Sequence, residues 1–599
     1  MKVGHYLTNK MHTNNVFTPQ KHAIFSFFPE RVIFIFVICF TFLLRISYID
    51  LFPPALNPDE VSTAYNAFSL LKTGKDEYGI KLPMVLRSFD DFRPPVMAYT
   101  TVASEAIFGI NDFSVRLPSA FFGTLGVIFL YFLVRSILAP SVSFVSKEKV
   151  ATLAAFLLGV SPWHLFFSRF SLETNLGTTF ILAMILYLWR GLLCRNLRNY
   201  IIAFMFLLLA MNTYHSFKII APLAGILTVA LHYKNFSFLA KWKKIVVALI
   251  LFLVILPTIY SSIFLQGLQR GASLSIFGDF SSIAQLSHGR SLLDQTTYGS
   301  YIGKFMALLD NSRILAIYYF VWSYLSYVSL GFLVSPLSQP ILYRIPNIGL
   351  LFAYELVLLP LGLVCLIQKK MPKKSSALLL LLLAITPLPA AIISPVSFSP
   401  TPTRVTLWNP SFVILEAFGF LSIRKSLQDA QKKTLTTMVT LLFSLAVTIS
   451  LLLFFHSLFL LLPNEQQLVW SQHLKEIFKV TQKIEPHQQI YIDATIPSIP
   501  YINFLWLTKF DPDVYLASGG TKNGSIFGSD SIIGNYHFIK DFRAYLQVQP
   551  IDPSGLYIGK IQDFSLNENK RKPAESNTLC WENKSYCLSL FKGEELVSK

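Results

Sequence analysis

Apolar stretches of the length needed to cross a bilayer, about 20 residues each, recur along this chain. They run through residues 31–49, 114–138, 149–168, 175–193, 199–213, 217–233, 245–264, 349–367, 376–396, 406–423 and 435–462. About eleven such runs leave little sequence for a water-facing surface. Of 599 residues, 53% are hydrophobic and only 14% charged, with a mean hydropathy of +0.51, against roughly a quarter charged in a soluble domain. Disorder, collagen and a compact cytosolic enzyme are excluded. The pattern specifies a polytopic membrane protein.

Charge then sets the direction of the spans. The chain has 51 Lys+Arg against 33 Asp+Glu, a net charge of +18, which in a soluble protein would suggest nucleic acid. Here the basic residues sit between alternate spans. The first span follows a tail carrying Lys2, Lys10, Lys21 and Arg31, with no small-residue cleavage site after it, and reads as a retained signal-anchor. With the N-terminus inside, the cytoplasmic loops hold Arg135, Lys147 and Lys149; Arg190, Arg195 and Arg198; Lys234 and Lys241–Lys244; Lys369–Lys374; and Arg424–Lys433. The three short loops on the opposite face hold one basic residue each, Arg169, Lys218 and Arg404. That bias fixes the orientation and accounts for much of the basic excess without nucleic acid.

Residues 314–334 are also apolar enough to cross, but a crossing there would put the later basic clusters outside. They are therefore expected in a long external loop of about 265–348, at the outer interface. The external face also carries a first loop of about 50–113 and a C-terminal region of 464–599. In the last, Gly, Asn, Asp, Ser and Lys rise, and strand-like runs appear at 489–494, 555–560 and 585–591 around a helical stretch near 499–509. The expected fold is thus an all-α polytopic membrane bundle with external surface helices and a small C-terminal α/β extracytoplasmic domain. Its parts are a cytoplasmic tail (1–30), the transmembrane domain (31–463) and the C-terminal domain (464–599). Cys39, Cys194 and Cys365 lie in or beside spans, while Cys580 and Cys587 lie in the external domain, where a disulfide can form. No HExxH, CxxC or Gly-rich phosphate loop is present, and no metal site is expected.

The outer-face charges are few enough to weigh singly. In Leu56-Asn57-Pro58-Asp59-Glu60, Asn57 suits an N-cap, Pro58 the first helical position, and Glu60 the far side of a capping box. The helix would run to Thr73-Gly74 and lie on the membrane, apolar face down. A carboxylate at that boundary is equally a place for a general base. Arg93 stands before Pro94-Pro95, and Arg116 heads the second span as an interfacial anchor. Arg169 and Glu173 could pair as i,i+4 neighbours. Tyr214, His215 and Lys218 join spans five and six, and Arg404 opens span ten. Carboxylates that activate a hydroxyl, with cations that hold a phosphate leaving group, suit transfer from a lipid phosphate. Glu355 and Glu416, inside spans eight and ten, have no role in this scheme.

The succession NPDEVSTAYNAFSLLKTGKDEYG, FRPPVMAY, FGINDFSVRLPSAFFGTLGVIFLYFLVR, SPWHLFFSRFSLE and YHSFKIIAPL resembles the GT-C superfamily of lipid-linked-sugar glycosyltransferases. Within it, the sequence is most similar to the branch of protein O-mannosyltransferases and the aminoarabinose–lipid A transferase. The resemblance covers about 31–233 and returns around 330–420. It implies a GT-C bundle, a polyprenyl-phosphate-linked sugar donor, and a protein, lipid or glycan acceptor. By the same resemblance Asp59 is the catalytic base, Glu60 its companion, and Glu173 a second acid standing where the mannosyltransferases have Asp. Arg93, Arg169, Lys218 and Arg404 stand where cations meet the donor phosphate, with Tyr214 and His215 beside them.

The implied reaction is direct inverting displacement at the anomeric carbon. No cofactor is required, and a divalent metal that neutralised the phosphate would find no ligand motif here. The alternative is a lipid-linked-sugar flippase, which needs the cations but not the acidic pair. A prokaryotic plasma membrane is the expected location, with the N-terminus cytoplasmic and the C-terminus outside.

Overall fold

The computed structural model describes residues 27–89, 91–138, 144–233, 311–392, 400–485, 487–522, 530–564, 578–581 and 586–597, with isolated positions between them. The run at 245–264, Leu256 apart, lies outside the described residues. Helices α1 (Phe27–Ile46), α2 (Pro58–Thr73), α3 (Val96–Phe108), α4 (Asp112–Ile137), α5 (Lys147–Val160), α6 (Pro162–Phe167), α7 (Glu173–Cys194), α8 (Leu197–Met211) and α9 (Phe217–Ala230) form the first part. Between α2 and α3 lies a two-stranded antiparallel hairpin, β1 (Leu86–Ser88) and β2 (Asp91–Arg93).

Among the described residues, four helices are long and apolar enough to cross a membrane by length and composition: α4, α7, Lys373–Ala391 and Lys433–Glu465. Four shorter apolar helices, α3, α8, α9 and Glu355–Ile367, accompany them. The third expected span is broken. Ser161 ends α5 and Pro162, which has no N–H to donate, opens α6, so α5 alone reaches only about 21 Å at 1.5 Å per residue. Residues 314–334 are helical but interrupted at Ser329, as Ser312–Val328 and Leu330–Val334.

The bundle core is where α4 packs on α5 and α7, and α5 in turn packs on Trp408–Asp429. That last helix crosses Glu355–Ile367 so closely that a Cβ on Gly419 would lie 2.6 Å from the Gly362 backbone nitrogen. Glycine is what admits the crossing. Glu355 at its edge accepts the Phe352 backbone N–H, closing the start of its own helix. Glu416 is buried beside it, and nothing in the structure explains it.

The C-terminal region builds a six-stranded sheet of order β4 (Ser531–Ile533), β5 (Tyr536–Ile539), β3 (Ile490–Asp493), β6 (Leu556–Lys560), β8 (Tyr586–Lys592), β7 (Thr578–Trp581). β3 pairs parallel with β5 and β6 and is buried throughout, as a central parallel strand must be. The three strand-like runs of the sequence are β3, β6 and β8. Cys580 and Cys587 are opposite one another in the β7–β8 pair and are disulfide-bonded.

One expectation for the first loop is overturned. The Val61, Ala64 and Tyr65 face of α2 packs with Leu474, Ile477 and Phe504 of the C-terminal region, while Leu70 packs with Leu86 and Ala98 on the other side. The apolar face of α2 is thus covered by protein and does not lie down on lipid. Beyond its C-terminal end, Glu77 is fully buried. It accepts from Asn66 Nδ2 at 3.0 Å, Thr521 Oγ1 at 2.7 Å and the Tyr501 hydroxyl at 3.4 Å. The Thr521 N–H also donates to the Glu77 carbonyl at 3.0 Å. A single carboxyl therefore ties α2 to the C-terminal region.

Candidate active site

The site begins with the cap of α2. Asn57 Oδ1 accepts the backbone N–H groups of Asp59 and Glu60 at 3.0 and 3.1 Å, and Glu60 Oε2 accepts the Asn57 N–H at 3.2 Å. This is the capping box read in the sequence, and Gly74 closes the helix in the left-handed region at φ 71°. The same Glu60 is fully buried and ion-paired to Arg116, with Nε on Oε1 at 3.0 Å and Nη2 on Oε2 at 3.1 Å. Ser171 N–H adds a third donor at 2.7 Å. Arg116 spends its other donors on the carbonyls of Ile49, Pro53 and Ala55. Far from anchoring at an interface, Arg116 is wholly enclosed and clamps the start of α2.

With Glu60 turned inward, its neighbour Asp59 turns outward. Its side chain is 38% exposed and ion-paired with Arg93 Nη2. Arg93 closes β2, in register with Leu86, and its Nη1 lies 3.4 Å from Glu173 Oε1 at the first position of α7. Asp91 Oδ2 stands 3.9 Å from Arg93 Nε. One guanidinium therefore gathers carboxylates from residues 59, 91 and 173, and Asp59 is the most open of the three.

Around this cluster the structure places other residues singled out in the sequence. His215 Nε2 is 2.7 Å from the Phe92 carbonyl, which can only accept, so that nitrogen carries the hydrogen. Burial, then the nearby Lys218 charge, lowers the His215 pKa to about 4, so the ring is neutral and braces the β1–β2 hairpin. Tyr214 is within 3.5 Å of Thr403 Oγ1 and within electrostatic reach of Arg404 and Glu173. Lys218 follows on the first turn of α9.

Arg169 is not brought into this group. It is fully buried, with Nη1 donating to the carbonyls of Leu44 and Arg45 at 2.6 and 3.2 Å. Nη2 donates to Ser47 at 2.8 Å, Phe52 at 3.2 Å and Tyr48 at 3.4 Å. It caps the frayed end of α1. Nor do Arg169 and Glu173 pair, because residues 168–172 are not helical and the i,i+4 spacing has no helix to act on.

Tyr343 carries no motif and was missed in the sequence. It is half-buried beside Asp59, Tyr214, Arg93 and Glu173, and desolvation, followed by the Asp59 charge, raises its hydroxyl pKa well above the ordinary value. It therefore stays a neutral donor facing the carboxylates. Among the described residues no group of three His, Cys, Asp or Glu is placed to hold a metal ion.

The profile of the dolichyl-phosphate-mannose-protein mannosyltransferase family matches residues 92–260. No curated protein matches the chain. Among solved structures, an Archaeoglobus fulgidus oligosaccharyltransferase tethered with an acceptor peptide aligns with a TM-score of 0.50 at 12% identity, over 90% of this chain and 70% of that one. ArnT from Cupriavidus metallidurans bound to undecaprenyl phosphate aligns with a TM-score of 0.48 at 11% identity, over 94% and 97%. The family profile starts within β2 and runs past α9, over less than a third of the chain, and the alignment with the oligosaccharyltransferase shows a shared fold.

Proposed function

We propose that the protein transfers a sugar from a polyprenyl-phosphate donor to an acceptor hydroxyl at the extracytoplasmic face, by inverting displacement with Asp59 as general base. The observation that carries this reading is the Arg93 cluster, in which the most open carboxylate shares its guanidinium with two others. Paired to Arg93, the Asp59 carboxylate is engaged by the guanidinium. A donor phosphate is a stronger, bidentate partner for a guanidinium. When it takes Arg93, the Asp59 carboxylate is released next to the reacting centre, free to accept the acceptor proton.

The acceptor oxygen then bonds to the anomeric carbon as the bond to the phosphate oxygen breaks. The acceptor proton passes to Asp59, and the leaving phosphate keeps the electron pair. Glu173 keeps Arg93 in place, Lys218 and Arg404 balance the leaving phosphate, and Tyr214 and Tyr343 stand beside the cluster as neutral donors. Glu60 acts as companion to Asp59 by position, through its clamp on Arg116, and Arg169 holds the end of α1. About eleven spans over residues 31–463 form the catalytic bundle, with residues 1–30 cytoplasmic and 464–599 an extracytoplasmic α/β domain of a prokaryotic plasma-membrane enzyme.

The test is transfer of radiolabelled sugar from a panel of polyprenyl-phosphate donors in membranes holding the wild type or Asp59→Asn at matched abundance. Label that reaches protein, lipid or glycan in the wild type and is lost in the variant supports the assignment, and the labelled fraction names the acceptor class. Equal turnover by both would return Asp59 to the role of a helix-cap neighbour.

A further inference from the structure

The seam between the C-terminal region and the end of the bundle holds a cavity of about 580 Å³ that has no part in the chemistry above. That volume is within the roughly 300–1,000 Å³ of small-molecule sites. Three separate parts of the chain line it: Asp50 and Leu51 after α1, residues 110–113 at the start of α4, and Lys475, Trp506, Leu507 and Lys509 from the C-terminal region.

Part of the lining is satisfied. Trp506 Nε1 donates to Asp112 Oδ1 at 3.0 Å, and Lys475 Nζ stands 3.8 Å from Asp112 Oδ2. Asp50 and Lys509 are exposed, and neither pairs with a described residue. The cavity thus offers one uncommitted anion and one uncommitted cation, with Lys475 only loosely held, over the apolar surfaces of Leu51, Ile110, Phe113 and Leu507.

The surroundings narrow the occupant. Tyr48, Leu51, Ile107 and Phe108 are between 50% and 74% exposed, and they prolong the exposed apolar stripe of α1 formed by Ile35, Phe36 and Leu43. On an integral membrane protein such a stripe meets acyl chains, so the cavity opens at head-group level. A purely anionic head group would confront Asp50 and Asp112. A neutral sugar would leave Asp50 and Lys509 unmatched. A head group bearing both a phosphate and a primary ammonium matches both signs.

We propose that this seam binds a phospholipid with a phosphoethanolamine head group, its ammonium on Asp50, its phosphate on Lys509 and Lys475, and its chains along the Tyr48–Phe108 rim. A lipid held there joins the C-terminal region to the bundle across the membrane surface. The proposal does not depend on sugar transfer.

Native mass spectrometry of the full-length protein in detergent tests it, with short-chain phosphatidylethanolamine, phosphatidylcholine and phosphatidylglycerol added in turn. Phosphatidylethanolamine should be retained about tenfold more strongly than the other two, because a quaternary ammonium cannot donate a hydrogen bond to Asp50. Asp50→Asn should reduce its retention to the phosphatidylcholine level, and Lys509→Gln should weaken both zwitterionic lipids. Equal retention of the three lipids, strongest retention of phosphatidylglycerol, or a preference that survives Asp50→Asn would each overturn the proposal. Asp59→Asn should bind phosphatidylethanolamine as the wild type does, so a failed transfer assay and a failed lipid site remain distinguishable. The comparison of lipids on the unmodified protein stands even where a variant does not fold.

Discussion

Two groups of charged residues lie within a few turns of each other, and they behave oppositely. Asp59, Arg93 and Glu173 form an open group: each is partly accessible, and the guanidinium can exchange one anion for another. Glu60, Arg116 and Arg169 form a closed group, each fully buried and held by fixed partners. The residue types are the same. What differs is whether a partner can be displaced by a ligand, since a buried pair already organised in low dielectric leaves nothing for a substrate to gain. Neighbours in sequence, Asp59 and Glu60, fall on opposite sides of that line.

The sharpest way to break the comparison is to mutate one member of each group and read both activity and stability. Asp59→Asn should cut transfer by about 10²–10⁴-fold while leaving the thermal midpoint in detergent unchanged; a drop in midpoint would move Asp59 into the closed group. Glu60→Ala should do the reverse, destabilising by about 3–5 kcal/mol through the stranded Arg116 charge, seen as loss of folded protein on size exclusion before any kinetic effect can be measured.

Glu77 sharpens the contrast through pH. Burial pushes its carboxyl up to about 7 from 4.5, with the hydrogen bonds from Thr521 and Asn66 offsetting only part of the shift. The raised value means the folded state favours the protonated form. Its stabilising share is therefore complete below about pH 4.5 and is lost as pH rises through about 7, an effect of up to about 3 kcal/mol. Thermal midpoints from pH 5 to 8 should fall for the wild type and flatten for Glu77→Gln; parallel curves would refute the linkage. The smallest effect is expected for Arg169→Met, about 1–3 kcal/mol for carbonyls left without donors, with transfer per folded molecule nearly unchanged. A selective loss of donor affinity in that variant would return Arg169 to the phosphate group.

How much of this was legible in the sequence follows from how local each feature is. The cap of α2 could be read because Asn57, Pro58 and Glu60 act on one another over three residues. The strands at 490–493, 556–560 and 586–592 announce themselves as short apolar runs. The Arg93 cluster was only half legible. The resemblance named Asp59, Arg93 and Glu173 but not Asp91, and no spacing in the sequence says that residues 59, 91 and 173 meet on one guanidinium. Arg169 was misjudged because an i,i+4 pair presupposes a helix, and α6 stops at Phe167. The face of α2 was misread because amphipathicity says that an apolar stripe is covered, not by what. Tyr343 acquires its place purely from the fold.

Glu77 has a consequence for the architecture of the molecule. The helix that presents Asp59 is a short beam with two bearings, and they belong to opposite ends of the chain. At its start it is seated by the capping box and Arg116; past its end it is seated by Thr521 and Tyr501. A chain stopped after residue 463 would lose the second bearing and open a buried carboxyl to water. The last quarter of the sequence is thus not an appendage that can be trimmed away, but one of the two supports of the helix that presents Asp59.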